Sequence, residues 1–341
     1  MVTALKRLGF DAVLDTDFAA DLTIIEEGHE LLERLKSALV DKDPKVALPM
    51  ATSCSPGWVK FLEHTFPELL PNLSTCKSPQ QMFGALVKTY YAKKKKLDPK
   101  NVVSVSIMPC TAKKFEADRP EMRSSGYKDV DYVLTTRELA IMITQAVLEF
   151  EKLPDSHFDS IMGASTGAAV IFGTTGGVME AAIRTVYELV TGRDVPFEDL
   201  NITPVRGTEG EVREATLLIT KTKPEFRFLE GVELKCVVAN GLAYAKQVMQ
   251  NVKDGTASYH FIEIMACPGG CLGGGGQPIP TNKEIRAKRK EAIYKEDMGM
   301  PLRKSHDNPD VQEIYKDFLV KPLGHKSHEL LHTHYTPRKR Y

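Results

Sequence analysis

The residues best suited to chemistry in this sequence are cysteines, and two of them, Cys267 and Cys271, sit within FIEIMACPGGCLGGGGQP (261–278). The apolar run Tyr259–Met265 before them has the length and composition of a buried strand. Four consecutive glycines, Gly273–Gly276, come after. Glycine raises the entropy lost on folding, so such a run is expected where bare backbone must approach something bulky that is not protein. Two thiolates with glycine between and beyond them fit a metal–sulfur cluster, whose sulfides backbone N–H groups can face. The plainer alternative is a flexible glycine loop holding two ordinary buried cysteines.

Cys54 and Cys110 also follow apolar runs. Val46–Met50 reads as a buried strand that delivers TSCSPGW (52–58), and Pro56 suits the first turn of the helix after it. A cysteine just before a helix N-terminus sits in a positive field that favours thiolate. Val102–Ile107 reads as a second strand, delivering MPCTAKKFE (108–116). In parallel α/β sheets, ligands collect outside the carboxyl ends of the strands. Four thiolates converging there suit a 4Fe–4S cluster. Zinc is the rival, but structural zinc sites favour short Cys-x-x-Cys knuckles, and the sequence has none. Cys76 and Cys236 are expected to pack as small buried hydrophobes. The tail Gly324–Tyr341 carries four histidines, yet no cysteine or paired carboxylate lies near them in sequence, so no metal site is expected there.

Several elements must position these loops. Met1–Phe10 reads as the end of a helix stopped at Gly9, followed by a short strand over 11–18. Leu22, Ile25, Leu32, Leu35 and Leu39 form a helical stripe over Phe18–Leu39, with Asp17 able to cap it. Glu26, Glu27 and Glu30 on that helix would ordinarily be a solvated acidic face. Another helix is expected from about Pro79 to Lys96. Tyr132–Thr135 and the capping box Thr135-x-x-Glu138 start a helix to about Glu151. GASTGAAVIFGTTGG (163–177) lacks both G-x-G-x-x-G and the Walker lysine, so nucleotide binding is excluded there. Its glycines suit close packing against a buried group, ahead of a helix over 178–190. Strands are expected at 212–219 and 234–239, and helices at 241–252, 282–297 and 310–320.

With 42% hydrophobic residues the 341-residue chain can bury a full core, and its length suggests two or three structural units. Lysine plus arginine and aspartate plus glutamate balance at 45 each, which gives no basis for a nucleic-acid partner. No apolar stretch is long enough to span a membrane. No secretory signal is read at the amino terminus, so a cytoplasmic location is expected. Six cysteines are too few for a disulfide scaffold of this size.

TSCSPGW (52–58), MPCTAKKFE (108–116) and EIMACPGGCLGGGGQP (263–278) resemble, in order, the three signature loops of iron-only (FeFe) hydrogenases. The resemblance continues through LSTCKSPQQMFGA (73–85) and IFGTTGGVMEAA (171–182), so it covers nearly the whole chain. It implies an H-cluster: a 4Fe–4S cubane joined through one cysteine sulfur to a two-iron unit carrying carbon monoxide, cyanide and a bridging dithiolate. The implied reaction interconverts protons plus electrons with hydrogen. By resemblance, Cys110 and Cys267 are cubane ligands, and Cys271 also reaches the two-iron unit. Lys113 resembles the lysine that hydrogen-bonds a cyanide. Ser78, Pro79 and Gln80 resemble the wall around the other diatomic ligands, and Met108 and Met265 the thioethers packed over the two-iron unit. The family's proton route maps onto Cys54, Glu27, Ser74 and Glu30. Glu27 and Glu30 are three apart, hence neighbours on one helical face.

The first loop departs from the family, which usually has two adjacent cysteines there, a proton carrier and then a cubane ligand. Cys54 keeps the carrier position, while Ser55 stands at the ligand position. Serine is a poor ligand, because its hydroxyl loses a proton far less readily than a thiol near pKa ~8.5. Cys54 is therefore the expected fourth ligand, with Cys76 a remoter candidate. The family's preceding segment and cysteine-rich ferredoxin domains are not in this sequence. Electrons are thus expected from a ferredoxin-like carrier or an additional electron-transfer subunit, with Lys93–Lys96 a docking feature. Maturation proteins are implied as further partners. The expected architecture is α/β, in two lobes, each a mainly parallel sheet flanked by helices, with the cluster in the cleft between them. Residues 1–130 form the first lobe, 131–281 the second and 282–341 a charged helical extension. The alternatives are a non-catalytic hydrogenase-like iron–sulfur assembly protein and a low-turnover hydrogen sensor.

Overall fold

The computed structural model describes residues 1–207 and 211–339. Its larger sheet has four strands in the order β1-β6-β5-β4. They are β1 (Met50–Ala51), β4 (Val212–Leu218), β5 (Glu233–Asn240) and β6 (Phe261–Met265). β1 and β5 flank β6 in parallel, at Met50↔Phe261 and Cys236↔Phe261, whereas β4 runs antiparallel to β5 on the outer edge. A second, two-stranded parallel sheet joins β2 (Val105–Met108) to β3 (Tyr132–Thr135).

The fold is therefore α/β, with parallel-rich sheets flanked by helices as expected. The sheets are unequal, and the first strand begins only at Met50, because Pro49 has no N–H to give to a ladder. β1 lies at the edge of the larger sheet, so a division after residue 130 does not separate the sheets. The short strand expected over 11–18 does not form. Val13 instead exchanges hydrogen bonds with Asp159, donating to its carboxylate at 2.8 Å and accepting from its N–H at 2.9 Å.

β6 is buried along its whole length, which its unbroken apolar run requires of a central parallel strand. Helices Asp17–Lys36 and Gly177–Thr191 pack together over one side of the sheet. Helices Pro56–Thr65 and Leu242–Lys253 contribute Trp58, Leu62, Val248 and Met249 to the core on the other. The capping box at Thr135 and Glu138 forms as the spacing predicts, but its helix stops at Gln145. The helix begun at Pro79 loosens into a π-type turn, Val87–Tyr91, before Ala92–Lys95.

From Lys283 the chain turns back over this body as helices Lys283–Gly299, Pro309–Ile314 and His325–Leu331. Asp297 receives a forked pair of hydrogen bonds, 2.8 and 2.9 Å, from Arg184, which also meets Glu180 at 2.6 Å. All three side chains are fully buried. Removing one partner of such a pair costs about 3–5 kcal/mol, because a charge is left behind without its counter-ion. Further along, Cys76 and His332 form a short antiparallel bridge, secured by Thr333 N–H on the Thr75 carbonyl at 2.7 Å.

Candidate active site

Every expected cysteine loop leaves the carboxyl end of a parallel strand: Cys54 follows β1, Cys110 follows β2, and Cys267 and Cys271 follow β6. Cys110, Cys267 and Cys271 are close enough to interact electrostatically, and none is in a disulfide. Burial pushes the Cys271 thiol up to about 12, and the neighbouring Cys110 and Cys267 sulfurs push the same way while Lys113 opposes them. Burial, then Cys110, raises Cys267 as well. Three neighbouring cysteine sulfurs in a half-buried nest, two of them with ionisation opposed by burial and by their neighbours, are a donor set for a cation, which would relieve that cost. The residues present thus fit an iron–sulfur group.

The glycines do something other than expected. A Cβ on Gly274 would strike the Pro109 carbonyl, and one on Gly276 would come within 2.9 Å of Pro109 and Thr135. The run is bare so that the third loop can lie directly on the second, bringing Cys110 beside Cys267 and Cys271. Gly276 N–H seals the contact on Pro109 O at 2.9 Å. The 163–177 loop likewise packs on protein. Thr175 and Gly269 both donate to the Asn240 side-chain oxygen, at 3.1 and 2.9 Å. Glu263 accepts from Gly176 and Met179 N–H at 2.6 Å each, with its carboxyl pushed up to about 7 by burial.

Cys54 stands on the other side of the nest. Burial raises its thiol well above the ordinary range, Glu27 raises it further, and Cys271 is among its neighbours. Ser55 caps the helix Pro56–Thr65 by position only, its hydroxyl making no capping bond. The Lys113 ammonium donates to the Cys54 carbonyl at 3.0 Å and pairs with Glu116 at 2.9 Å. Glu116 also accepts from Ser78 Oγ at 2.8 Å and Gln80 Nε2 at 3.1 Å. Pro79 opens the helix that carries Gln80. Met265 is buried at the end of β6, and Met108, at the end of β2, packs on a small cluster of Ala117, Val130 and Val133. Glu116 had no assigned role in the sequence, although it stands at the end of MPCTAKKFE, and here it ties three of the expected site residues together.

Glu26, Glu27 and Glu30 are all buried, which overturns the solvated-face reading. Glu27 is pushed up to about 8, chiefly by burial and then by Glu30. Neither of its carboxyl oxygens has a well-formed hydrogen bond among the described residues, though Ser74 and the Ser53 backbone are near enough to lower its pKa. Ser74 Oγ donates to Glu30 at 2.7 Å, and Arg34 reaches Glu30 at 2.7 Å from a partly exposed position. Glu26 faces elsewhere, accepting from Tyr315 OH and from Leu323 N–H at 2.9 Å, with His332 at 3.1 Å. His332 thereby corrects the expectation for the histidine tail, since folding places it beside Glu26, Glu30 and Cys76. Cys236 is a core thiol, pushed up to about 12 by burial alone. Cys76 is equally buried but lies against Glu30, Glu27 and Glu26.

Residues 1–275 match the family described as iron only hydrogenase large subunit, C-terminal domain. The chain belongs to the iron-only hydrogenase family. Residues 283–338 match a second family, iron hydrogenase small subunit. The NADP-reducing hydrogenase subunit HndD of Solidesulfovibrio fructosivorans is 53% identical over 344 residues, covering 100% of this chain and 56% of that protein. The chain spans about half the length of the hydrogenase relatives it matches. A solved variant of FeFe-hydrogenase HydA1 from Chlamydomonas reinhardtii superimposes with a TM-score of 0.85 at 45% identity, covering 99% of this chain and 87% of that one. The family's wider kin include the cytosolic Fe-S cluster assembly factor narfl of Xenopus tropicalis, 31% identical over 97% of this chain and 67% of that protein.

Proposed function

We propose that this chain is a hydrogenase catalytic domain that interconverts protons plus electrons with molecular hydrogen. The observation that carries the reading is the position of Cys54, which neighbours both the cysteine nest, through Cys271, and the buried carboxylate row, through Glu27. An iron–sulfur assembly protein needs the nest but has no use for the row. The H-cluster, when bound, supplies the iron at which electrons and protons meet. Cys110, Cys267 and Cys271 would hold its cubane, with Cys54 as fourth ligand, and Cys271 would also join the two-iron unit with its carbon monoxide, cyanide and dithiolate.

The chain's own residues then have definite tasks. Lys113, fixed by Glu116, offers its ammonium to an anionic ligand, while Ser78, Pro79 and Gln80 wall the pocket and Met108 and Met265 keep water out. Ser74 passes a proton between Glu27 and Glu30, and Arg34 holds Glu30 at the rim. Electrons come from a ferredoxin-like carrier or an electron-transfer subunit, and maturation proteins install the cofactor. The Lys93–Lys96 run is a poor docking feature. Lys94 is paired with Asp317 at 2.8 Å and Glu313 at 3.2 Å. It also lies 14 residues along the helical run from Gln80, about 20 Å from the pocket at ~1.5 Å per residue. Arg137 and Arg289 are better placed, since they donate to the carbonyls of Gly275 and Leu272 in the cluster loop itself.

Among the described residues no helix is long and apolar enough to cross a membrane, and a cytoplasmic location is part of the same proposal. Ser55 favours one variant of the reading, a low-turnover hydrogen sensor. Infrared spectra of the matured protein should show carbon monoxide and cyanide bands at about 1800–2100 wavenumbers, together with hydrogen evolution from a reduced carrier. Their joint absence would leave the assembly-protein reading.

A further inference from the structure

Outside the cysteine nest, the densest group of metal-binding atoms lies behind Glu30. The Cys76 sulfur, a Glu30 carboxylate oxygen and an imidazole nitrogen of His332 all fall within 4.8 Å of one another, on three buried residues. Each comes from a different stretch: the helix Asp17–Lys36, the turn after Ser74, and the C-terminal segment that bridges to Cys76. The Cys76 thiol makes one weak contact, to Glu30 Oε2 at 3.7 Å. Arg34 occupies Glu30 Oε1, while Oε2, the oxygen turned toward the sulfur, accepts from Ser74 Oγ at 2.7 Å and Thr75 N–H at 3.1 Å, so a cation bound there competes with the Ser74 hydroxyl.

We propose that Glu30, Cys76 and His332 form a binding site for a thiophilic divalent cation of the zinc or cadmium kind, and that filling it blocks proton transfer through Glu30. Sulfur, nitrogen and oxygen donors suit zinc at ~2.0–2.3 Å, which places neighbouring ligand atoms ~3.5 Å apart. No pair therefore has to close by more than about 1.3 Å, a movement within reach of side-chain rotation about existing bonds. On binding, the Cys76 thiol loses its proton to water, three metal–ligand bonds form, and no electron moves. His332 exchanges one partner, either the Thr75 hydroxyl at 2.8 Å or Glu26 at 3.1 Å, for the metal.

The local charge favours the exchange. Glu30 is paired with Arg34, and Glu26 meets Tyr315, the Leu323 N–H and His332, so a divalent cation with one new thiolate leaves the group of charges neutral. Access is at the rim, where the Arg34 side chain is partly exposed. His332 belongs to the segment matched by the small-subunit family, whereas Glu30 and Cys76 belong to the large-subunit part. The cation would therefore also staple the two parts together.

The block, unlike the site itself, rests on Glu30 being the relay proposed above. The test is titration of the cluster-loaded protein with cadmium, so that the nest cysteines are already occupied. Three quantities are read: calorimetric stoichiometry, the ultraviolet sulfur-to-cadmium charge-transfer band, and hydrogen evolution. One cadmium ion per chain is expected, with a band that Cys76→Ser removes, and at least ~10-fold weaker binding in His332→Ala. Cadmium-113 resonance of the unmutated protein reports the sulfur, nitrogen and oxygen donor set without any variant. Unchanged binding in both variants, or a resonance lacking sulfur, overturns the site. Binding without loss of turnover keeps the site but overturns the block, and the rate of Glu30→Gln without cadmium then shows separately whether Glu30 carries protons at all.

Discussion

The cysteine nest and the acidic helix face are built by opposite means. The nest is made of loops, and its order comes from backbone lying on backbone, as where Gly274 and Gly276 press onto Pro109. The acidic face is made of one helix, Asp17–Lys36, whose Asp21, Glu26, Glu27 and Glu30 are held in the interior by side-chain partners or by burial alone. Geometry fixed by backbone suits the grip on a rigid inorganic group. Carboxyls with polar partners, or pushed toward neutrality by burial, suit the passage of a proton, which needs groups that change state cheaply. Cys54 is where the two kinds of construction touch.

The comparison breaks most sharply at Cys271. Cys271→Ala should bring hydrogen evolution to background and lower the iron count, because this sulfur is expected in both halves of the cofactor. Wild-type rate and iron content in that variant would end the assignment of the loop. Next in size is the first loop, where a serine must lose a tightly held proton before it can bind iron. Cys54→Ala should cost the cubane, measured as bound iron, whereas Ser55→Cys should raise cluster occupancy and leave Cys54 free to carry protons. A full cubane in Cys54→Ala, with no change in Ser55→Cys, would place the fourth ligand elsewhere.

On the acidic face the effects should be kinetic. Glu30→Gln should slow turnover by about 10²-fold, the usual contribution of a proton-transfer group, with infrared bands unchanged. An unaltered rate returns Glu30 to a purely structural role. The smallest effect concerns Asp21, which accepts from Thr166 Oγ1 at 2.7 Å and Asn308 Nδ2 at 2.9 Å. Burial holds its proton up to about 7 in the folded chain, against 3.8 in the unfolded one. The folded state binds more protons across that window, so this contribution is fully present below the unfolded value and is lost as pH rises through 7. Asp21→Asn should flatten the dependence, seen as a smaller shift in urea midpoint between about pH 5 and pH 8. The wild-type slope in the variant would mean that Asp21 is charged throughout.

The nest was far more legible in the sequence than the acidic face. Strand-to-loop patterns announced Cys54, Cys110, Cys267 and Cys271, because a parallel strand has a local signature and its end is where ligands gather. The glycine run was legible as a site of close approach, but not as an approach to protein, since the partner loop lies about 160 residues away. Glu27 and Glu30 looked solvated because a carboxylate carries no mark of burial; only the motif resemblance drew them inward. Glu116 and His332 were missed for the same reason, as their partners Ser78, Gln80, Thr75 and Glu26 are remote in sequence. Of the second strand pair only Val102–Ile107 was read as a strand; its partner Tyr132–Thr135 was read as the lead into the helix that its capping box starts, because the box is a local signal and the pairing is not.

The C-terminal helices grip the body through contacts that would survive a break in the chain. Arg184 on Asp297 and Arg338 on Glu63 join sequence positions more than a hundred residues apart, while Pro278, Ile279 and Pro280 of the connection lie exposed. The connection therefore works chiefly as a tether, setting the effective concentration at which the clasp meets its seat. Cut there, the same surfaces would still fit, but closure would become a matter of dose. His332 would then reach the back of Glu30 only as often as the two pieces found one another.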